Sequence, residues 1–200
     1  MNARSLARRG VLVVATTAVL STGCSAGTVV NTGDTPATET NAPAPTPSST
    51  RPSNDGLANA FDFYAQSNGR PGYFFTSPSK RWVCAIYPRE IVGCQSSTGS
   101  AIPIKGAPDS VSDAQGKDSA PNAIQVDRVT DAQFGAVDPP GYGLVPGPAV
   151  VLPFNKVLIA AGFRCNVQEV SGVSCLSEQT GKGFTFSADG YTLQYTDVPG

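Results

Sequence analysis

Two short segments of the chain show the alternation of apolar and polar residues that is typical of a β-hairpin with one buried face. Each segment carries two cysteines ten positions apart. When Cys165 is set opposite Cys175 in an antiparallel pair, one face carries Phe163, Cys165, Val167, Val173 and Cys175, and the other carries Arg164, Asn166, Gln168, Gly172, Ser174 and Leu176. This segment therefore predicts a hairpin with its apolar face on the core, its polar face in water and residues 169–171 in the turn.

The first cysteine segment has the same pattern 81 positions earlier. Trp82, Cys84, Ile86, Val92 and Cys94 occupy the positions of Phe163, Cys165, Val167, Val173 and Cys175 in the second segment. We therefore predict two similar hairpins stapled by the disulfides Cys84–Cys94 and Cys165–Cys175, each worth about 2–3 kcal/mol on the chain-entropy model. A redox-active pair would be closer together, as in C-x-x-C, and the sequence contains no such pair.

The remaining apolar runs are short, and 17 prolines and 21 glycines are spread along the chain. This pattern predicts strands at 73–76, 123–129, 149–152, 156–160, 183–187 and 191–196. Residues 96–119 are mostly Gly, Ser, Asp and Pro and predict a long surface loop, whereas residues 127–134 could form one or two helical turns. The predicted fold class is mainly β, a small disulfide-stapled antiparallel domain, or α+β if the short helix forms.

The first 23 residues predict a signal peptide. Three arginines among the first nine residues precede an apolar run at 11–20 that is too short to span a bilayer as a mature helix. The run ends in Leu-Ser-Thr-Gly-Cys, which resembles the bacterial lipobox, although Ser21 stands where that signal usually has leucine. The resemblance implies cleavage before Cys24 and attachment of a diacylglycerol to its sulfur. Arg8-Arg9 also resembles a twin-arginine export signal.

The cysteine count supports lipidation of Cys24. Five is an odd number for an exported protein, and acylation of Cys24 leaves four cysteines for the two predicted disulfides. Two or three acyl chains on one residue are enough to anchor a protein stably in a membrane. The alternative is an ordinary signal peptide in which Cys24 is incidental.

The composition changes after the predicted signal peptide. Residues 24–56 are rich in Thr, Pro, Ser, Ala and Asn and have too little apolar surface to offset the entropy of ordering, which predicts a disordered, fairly extended tether. Residues 57–200 are long enough to bury a core and predict one β-rich extracytoplasmic domain. Loss of three arginines with the signal peptide leaves 11 basic and 15 acidic residues, and the resulting charge of −4 gives no reason to expect nucleic acid as a partner.

The residue inventory excludes several kinds of active site. The sequence has no histidine, so it cannot form a Ser–His–Asp or Cys–His centre or an imidazole metal site, and we expect no metal and no cofactor. Ser77 and Lys80 fit the S-x-x-K motif of penicillin-binding proteins, but Pro78 follows the serine where the chemistry needs a helical turn. Lys182 lies in a T-G-K-G segment that resembles a phosphate loop, but Leu176 stands where Walker A has glycine.

Two sets of residues are open to a catalytic or binding role. The first is a set of aspartates in polar or turn segments: Asp109, Asp113, Asp118, Asp127, Asp131 and Asp138. Two carboxylates about 5–10 Å apart would suit a glycosidase, and solvated surface is the alternative. The second is a set of early aromatic residues: Phe61, Phe63, Tyr64, Tyr73, Phe74, Phe75, Trp82 and Tyr87. They either pack the core beneath the first hairpin or line a groove for a sugar, a lipid or a peptide.

The two cysteine segments resemble an uncharacterised domain of exported proteins and lipoproteins of actinobacteria. The resemblance rests on F-T-S-P-S-K-R-W-V-C at 75–84, G-F-R-C at 162–165, S-G-V-S-C at 171–175 and T-G-K-G-F-T-F-S-A-D-G-Y at 180–191. It covers roughly residues 73–195, with Lys80-Arg81-Trp82 in place of a Gly-Asn-apolar run and Lys182 in place of a histidine. The resemblance implies a small, disulfide-bonded, β-rich extracytoplasmic domain, and it brings no established activity.

We therefore expect a lipid-anchored protein of the cell envelope, on the extracytoplasmic face of the cell membrane, whose domain acts by binding and is not an enzyme. Its partners would be the membrane, through the acyl anchor, and an envelope protein, glycan or lipid. One alternative is a carrier of an apolar envelope lipid in a β-lined cavity, which requires an interior that side chains do not fill. Another alternative is a wall-polymer hydrolase that uses two of the carboxylates.

Intact mass tests the assignment of all five cysteines. The protein purified from native membranes should have a mass that starts at Cys24 and includes acyl chains, and it should take up four alkylations only after reduction. A mass without acyl chains, or thiols that alkylate before reduction, would contradict this assignment.

Overall fold

The computed structural model describes residues 54–199. The chain divides into two units, Met1–Ser49 and Thr50–Gly200, and all described residues belong to the second. The predicted signal peptide (1–23), Cys24 and all but the last three residues of the predicted tether lie outside the described residues.

The described part of the chain consists of short strands, turns and one 3₁₀ turn at Ala60–Phe63. The strands are β1 (Tyr64–Ser67), β2 (Arg70–Thr76), β3 (Trp82–Tyr87), β4 (Ile91–Ser96), β5 (Val111–Ser112), β6 (Asp118–Ser119), β7 (Ala123–Asp127), β8 (Gln133–Gly135), β9 (Val150–Val151), β10 (Val157–Ala160), β11 (Phe163–Gln168), β12 (Gly172–Ser177), β13 (Gly183–Phe186) and β14 (Tyr191–Thr192). Residues 54–199 contain no α-helix, and the prediction of a mainly β, antiparallel fold is confirmed.

Two sheets carry most of these strands. The first has the order β1-β2-β3-β4-β7-β8, with β9 parallel to β2, and the second has the order β10-β11-β12-β13-β14. A small separate hairpin consists of β5 and β6. Apolar side chains of the two large sheets meet in one core that includes both disulfides. The unit Thr50–Gly200 thus has a complete core of its own, as expected of a domain that folds independently.

Both cysteine hairpins have the predicted register. Cys84 faces Cys94 in β3–β4, Cys165 faces Cys175 in β11–β12, and each pair forms a disulfide. The likeness extends one strand further on each side of both hairpins. A fully buried row runs Phe75–Cys84–Cys94–Ile124 across the first sheet, and a matching row runs Leu158–Cys165–Cys175–Phe184 across the second. The two predicted hairpins are therefore the centres of two similar four-stranded units.

The predicted helical turns at 127–134 are wrong. Strand β7 ends at Asp127, whose carboxylate accepts hydrogen bonds from the backbone N–H groups of Val129 and Thr130, and the chain then enters β8. An aspartate that bonds the amides two and three residues ahead forms a local turn, which ends the strand. The predicted strands at 123–129, 149–152 and 191–196 are correspondingly shorter, as β7, β9 and β14.

The segment 96–119, predicted as a surface loop, contributes to the core. Ile102 and Ile104 are only 5% and 6% exposed and belong to the main apolar cluster. Burial of two isoleucines is favourable enough to draw a polar segment of this length against the sheets. The segment also contains both strands of the small hairpin, β5 and β6.

The sequence predicts that the polar face of the second hairpin lies in water, but the structure buries two of its residues. Asn166 and Ser174 are fully buried, because C-terminal residues 193–198 lie against them. Asn166 Nδ2 donates to the Thr196 carbonyl at 2.9 Å, and the Thr196 N–H donates to Ser174 Oγ at 2.8 Å. The hairpin needs polar residues here because they satisfy the backbone of the segment that covers them.

The turn of the second hairpin depends on Gly172. Its φ is +84°, and a Cβ at this position would lie 2.1 Å from the Phe186 carbonyl oxygen on β13. We expect Gly172→Ala to lower the free energy of unfolding by about 2–4 kcal/mol, since the backbone is strained and the β12–β13 pairing must also shift.

Gly162→Ala is the matched control for this substitution. Gly162 has a similar φ of +90°, but no atom lies within 4 Å of its added Cβ. Gly162→Ala should therefore lower the free energy of unfolding only through backbone strain, by about 1–2 kcal/mol. Equal losses for the two variants in urea unfolding, with the disulfides intact, would contradict the close approach of β13 to Gly172.

Candidate functional site

The outer face of the first sheet is apolar where a solvated face would be polar. Phe74, Ala85, Tyr87 and Ala123 lie on this face, are buried, and form a second apolar cluster with Tyr142. Tyr142 belongs to residues 136–149, a Pro- and Gly-rich segment without regular secondary structure, which we call the strap. The first sheet is therefore covered on both faces, by the second sheet and by the strap.

Tyr142 fastens the strap to the sheet. Its backbone N–H donates to Gln95 Oε1 at 2.8 Å, and its hydroxyl donates to Gln125 Oε1 at 2.5 Å. Its ring lies directly over Gly93, where a Cβ would come within 2.1 Å of a ring carbon. Gly93 pairs with Gln125 on the neighbouring strand, so the ring spans from β4 to β7. Burial raises the pKa of Tyr142, and the hydroxyl therefore remains a donor across the physiological pH range.

Other sheet side chains bond the backbone of the strap. The Tyr87 hydroxyl donates to the Gly141 carbonyl at 2.7 Å, the Ser67 hydroxyl donates to the Gly143 carbonyl at 3.0 Å, and Asn122 bonds both the N–H and the carbonyl of Val137 at 2.8 Å. The strap shares no strand ladder with the sheet in the described part of the chain. Its position therefore depends mainly on individual side chains, together with one backbone hydrogen bond from the Asn68 N–H to the Val145 carbonyl at 3.4 Å.

A cavity of about 510 Å³ lies between the strap and one end of the first sheet. Apolar strap residues form much of its wall, including Pro139, Pro140, Leu144, Val145, Pro148 and Ala149. Its floor is a row of paired residues on three neighbouring strands, Thr76 on β2, Val83 on β3 and Gln95 on β4. None of the described residues that line this cavity is aromatic.

Four polar groups of this cavity have no partner among residues 54–199, and they belong to Gln95, Thr76, Lys80 and the exposed Ser97. Gln95 Oε1 accepts the Tyr142 N–H, which fixes the orientation of the amide and leaves Nε2 without an acceptor. Thr76 Oγ1 makes no hydrogen bond, and the Lys80 ammonium makes no ion pair. Gln95 and Thr76 are only 8% and 7% exposed, and what remains accessible of them opens into the cavity. A ligand in the cavity could take the place of the solvent at these groups.

A second cavity of about 480 Å³ lies nearer the β3–β4 turn. Arg70 lies 3.5 Å from the centre of the Tyr87 ring and pairs with Glu90 at 2.6 Å. Asp113 and Asp138 also line this cavity. The Asp113 carboxylate accepts hydrogen bonds from the amides of its own turn, at 3.0 and 2.8 Å. Carboxylate side chains therefore line this second cavity, whereas no described acidic residue lines the cavity beneath the strap.

The other predicted aspartates are separate from the cavity beneath the strap. Hydrogen bonds from Thr130 and Val129 outweigh the opposing effect of burial and lower the pKa of Asp127. Asp131 pairs with Lys182 at 3.0 Å, which engages the lysine of the T-G-K-G segment. Asp118 accepts from the Ser112 hydroxyl at 3.4 Å, and Asp109 is exposed. Among residues 54–199 no group of three or more acidic or cysteine side chains is placed to hold a metal ion.

The S-x-x-K segment forms a turn between β2 and β3 and not a helix. Ser77 Oγ accepts the Trp82 N–H at 3.2 Å and lies 3.0 Å from Ser79 Oγ, and Lys80 has a positive φ of 56°. The serine and the lysine thus lack the one-turn helical spacing of a penicillin-binding protein. Lys80 instead lines the cavity beneath the strap.

Most of the early aromatic residues pack in the core. Phe63, Phe74, Phe75, Trp82 and Tyr87 are at most 5% exposed, whereas Phe61 and Tyr64 are 88% and 50% exposed. Most of the aromatic residues that are candidates for a binding groove are therefore buried, which disfavours the hypothesis of an aromatic-lined groove. Within the described range no helix is long and apolar enough to cross a bilayer.

No protein-family model matches the chain, and no curated protein or solved structure is significantly similar to it. The resemblance to exported actinobacterial domains remains a prediction.

The contact between Tyr142 and Gly93 can be tested by a double-mutant cycle. We expect Gly93→Ala to displace the ring and lower the free energy of unfolding by about 1–3 kcal/mol. In a Tyr142→Ala background the same substitution should cost less than about 0.5 kcal/mol, because the ring is gone. Additive losses in urea unfolding would contradict the position of the strap.

Proposed function

We propose that this protein is a non-catalytic binding protein of the cell envelope, anchored through acylated Cys24 and displayed on the tether, and that it binds a small, largely apolar molecule beneath the strap. The cavity beneath the strap is the observation that carries this proposal. Its volume of about 510 Å³ is within the range of about 300–1,000 Å³ that is usual for small-molecule sites. Its lining also has the usual character, mostly apolar with a few polar groups in fixed positions.

The attachment of the strap supports a binding role. A segment held by individual side-chain hydrogen bonds can open and close at less cost than a strand embedded in a sheet. The two disulfides and the packed core keep the sheet beneath it rigid. The site therefore combines a fixed floor with a wall that can move to admit a ligand.

The packed interior limits the alternative of a lipid carrier. Phe, Val, Ile and cystine side chains fill the space between the sheets, including Phe75, Phe163, Phe184 and Val173. This filling argues against a lipid held inside the domain between the two sheets. The cavity beneath the strap supports instead a molecule of ordinary ligand size on the outer side of the first sheet.

A wall-polymer hydrolase is the second candidate, and the second cavity is the observation that favours it. Glu90, Asp113 and Asp138 line that cavity together. Glu90 is paired with Arg70, and the amides of its own turn hold Asp113. These contacts leave Asp138 as the carboxylate most available for proton transfer, and replacement of Asp138 by Asn would abolish hydrolysis of wall polymer if this candidate is correct.

Binding of a neutral apolar dye tests the proposed function. N-phenyl-1-naphthylamine should bind the protein from Ser25 onward, with its fluorescence enhanced by the apolar wall. Val83→Trp should weaken binding by about tenfold or more, because the indole ring takes up the space above the cavity floor that the dye would occupy. Val83 is a suitable site because its side chain lies in the cavity and outside both core clusters.

Val170→Trp is the matched control for the dye experiment. Val170 is 94% exposed at the tip of the second hairpin, so the same bulky group is added away from the strap. Its dye affinity should equal that of the wild type. Equal affinity in all three proteins, or no binding to the wild type, would refute the proposed site.

A further inference from the structure

We propose that the molecule bound beneath the strap is amphipathic, with a carboxylate head group that contacts Gln95, Thr76 and Lys80 and an apolar body that lies along the strap. This inference rests on the proposed binding function and adds the chemical class of the ligand. It follows from the nature of the unpartnered polar groups and from their place in the cavity.

Gln95 is the first of these groups. Its Oε1 is occupied by the Tyr142 N–H, so its Nε2 can only donate. The Nε2 atom opens into the cavity, so a ligand that fills the cavity displaces the solvent from this donor, and leaving the donor without a partner is then unfavourable. A ligand that satisfies it must present an acceptor oxygen.

Thr76 and Val83 define where that oxygen lies. Thr76, Val83 and Gln95 are directly paired across three strands, so Thr76 and Gln95 are about 10 Å apart on the same face with Val83 between them. The short side chain of Val83 leaves space above it, and the longer glutamine and the threonine flank that space. A planar head group with two acceptor oxygens can be bonded from both sides.

Lys80 determines the charge of the head group. It is the only charged residue among those lining the cavity, and it has no ion pair within the described residues. It follows β2 in the turn that begins just after Thr76, at the same end of the sheet as the two donors. A lone cation beside two donors favours an anion, and charge-assisted hydrogen bonds are about twice as strong as neutral ones.

The rest of the cavity determines the body of the ligand. The wall opposite this polar end is built from strap residues such as Leu144, Val145 and Pro148, which offer no side-chain hydrogen bond. Burial of apolar surface against them is the main source of affinity. A ligand that was polar throughout would lose its hydration there without replacement.

A head-group series tests the inference with defined probes. Decanoate, decanol and decylammonium share one apolar chain and differ in charge and acceptor capacity, and each would be titrated against N-phenyl-1-naphthylamine bound to the protein from Ser25 onward. We expect decanoate to displace the dye at a concentration about tenfold lower than decanol, and decylammonium to be the weakest. The advantage of decanoate should shrink as ionic strength rises.

Three variants locate the head group. Lys80→Gln should lower the affinity for decanoate by about three- to tenfold and leave the affinity for decanol unchanged. Thr76→Val should lower the affinity for both probes. Gln95→Glu keeps an acceptor for the Tyr142 N–H but replaces the free donor with a negative oxygen, so it should reverse the order and favour decylammonium over decanoate. Lys105→Gln removes an exposed lysine outside the cavity and should change nothing.

The outcomes separate this inference from the proposed function. Dye binding without a preference for decanoate, or a preference that Lys80→Gln does not reduce, would overturn the carboxylate and leave the binding site in place. Failure of the wild-type protein to bind the dye or any of the three probes would overturn both. Lys80 is exposed, so its variant should keep the fold and remain informative if a floor variant does not.

Discussion

The ring of Tyr142 can rest on the first sheet only because position 93 has no side chain. This single contact brings the strap close enough for the Tyr142 backbone N–H to reach Gln95 and for the Tyr142 hydroxyl to reach Gln125. With the strap in that place, Phe74, Ala85 and Tyr87 are buried on a face that would otherwise expose them to water. The cavity lies between the strap and the end of the sheet that carries Thr76, Val83 and Gln95.

The space between the two sheets is filled by side chains, which leaves the outer side of the first sheet as the place for a site. The two rows that contain the disulfides fill the space between the sheets with large side chains, and each cystine is fully buried within its row. A core packed in this way provides stability and no room for a ligand. We therefore propose that a ligand binds on the outer side of the first sheet, where stability depends on fewer contacts and some polar groups remain free.

The spacing of the cysteines was enough to predict both hairpins, their register and their disulfides, because pairing of one residue fixes all the others in an antiparallel ladder. The strap could not be predicted in the same way, since a segment of Pro and Gly has no period to read. One signal was present nonetheless. Strand β3 is W-V-C-A-I-Y, apolar at every position, and such a run indicates burial on both faces. The alternation in β11 and β12 predicts a face in water, and for Asn166 and Ser174 this is wrong. These two polar side chains bond the C-terminal segment that covers them.

Native mass spectrometry of the protein released gently from its own membranes would test most directly whether the cavity beneath the strap is a binding site. The account predicts one small, non-covalently bound molecule per chain, retained in the wild-type protein and absent from Val83→Trp purified in the same way. An empty wild-type protein, or a molecule that Val83→Trp retains in full, would contradict it.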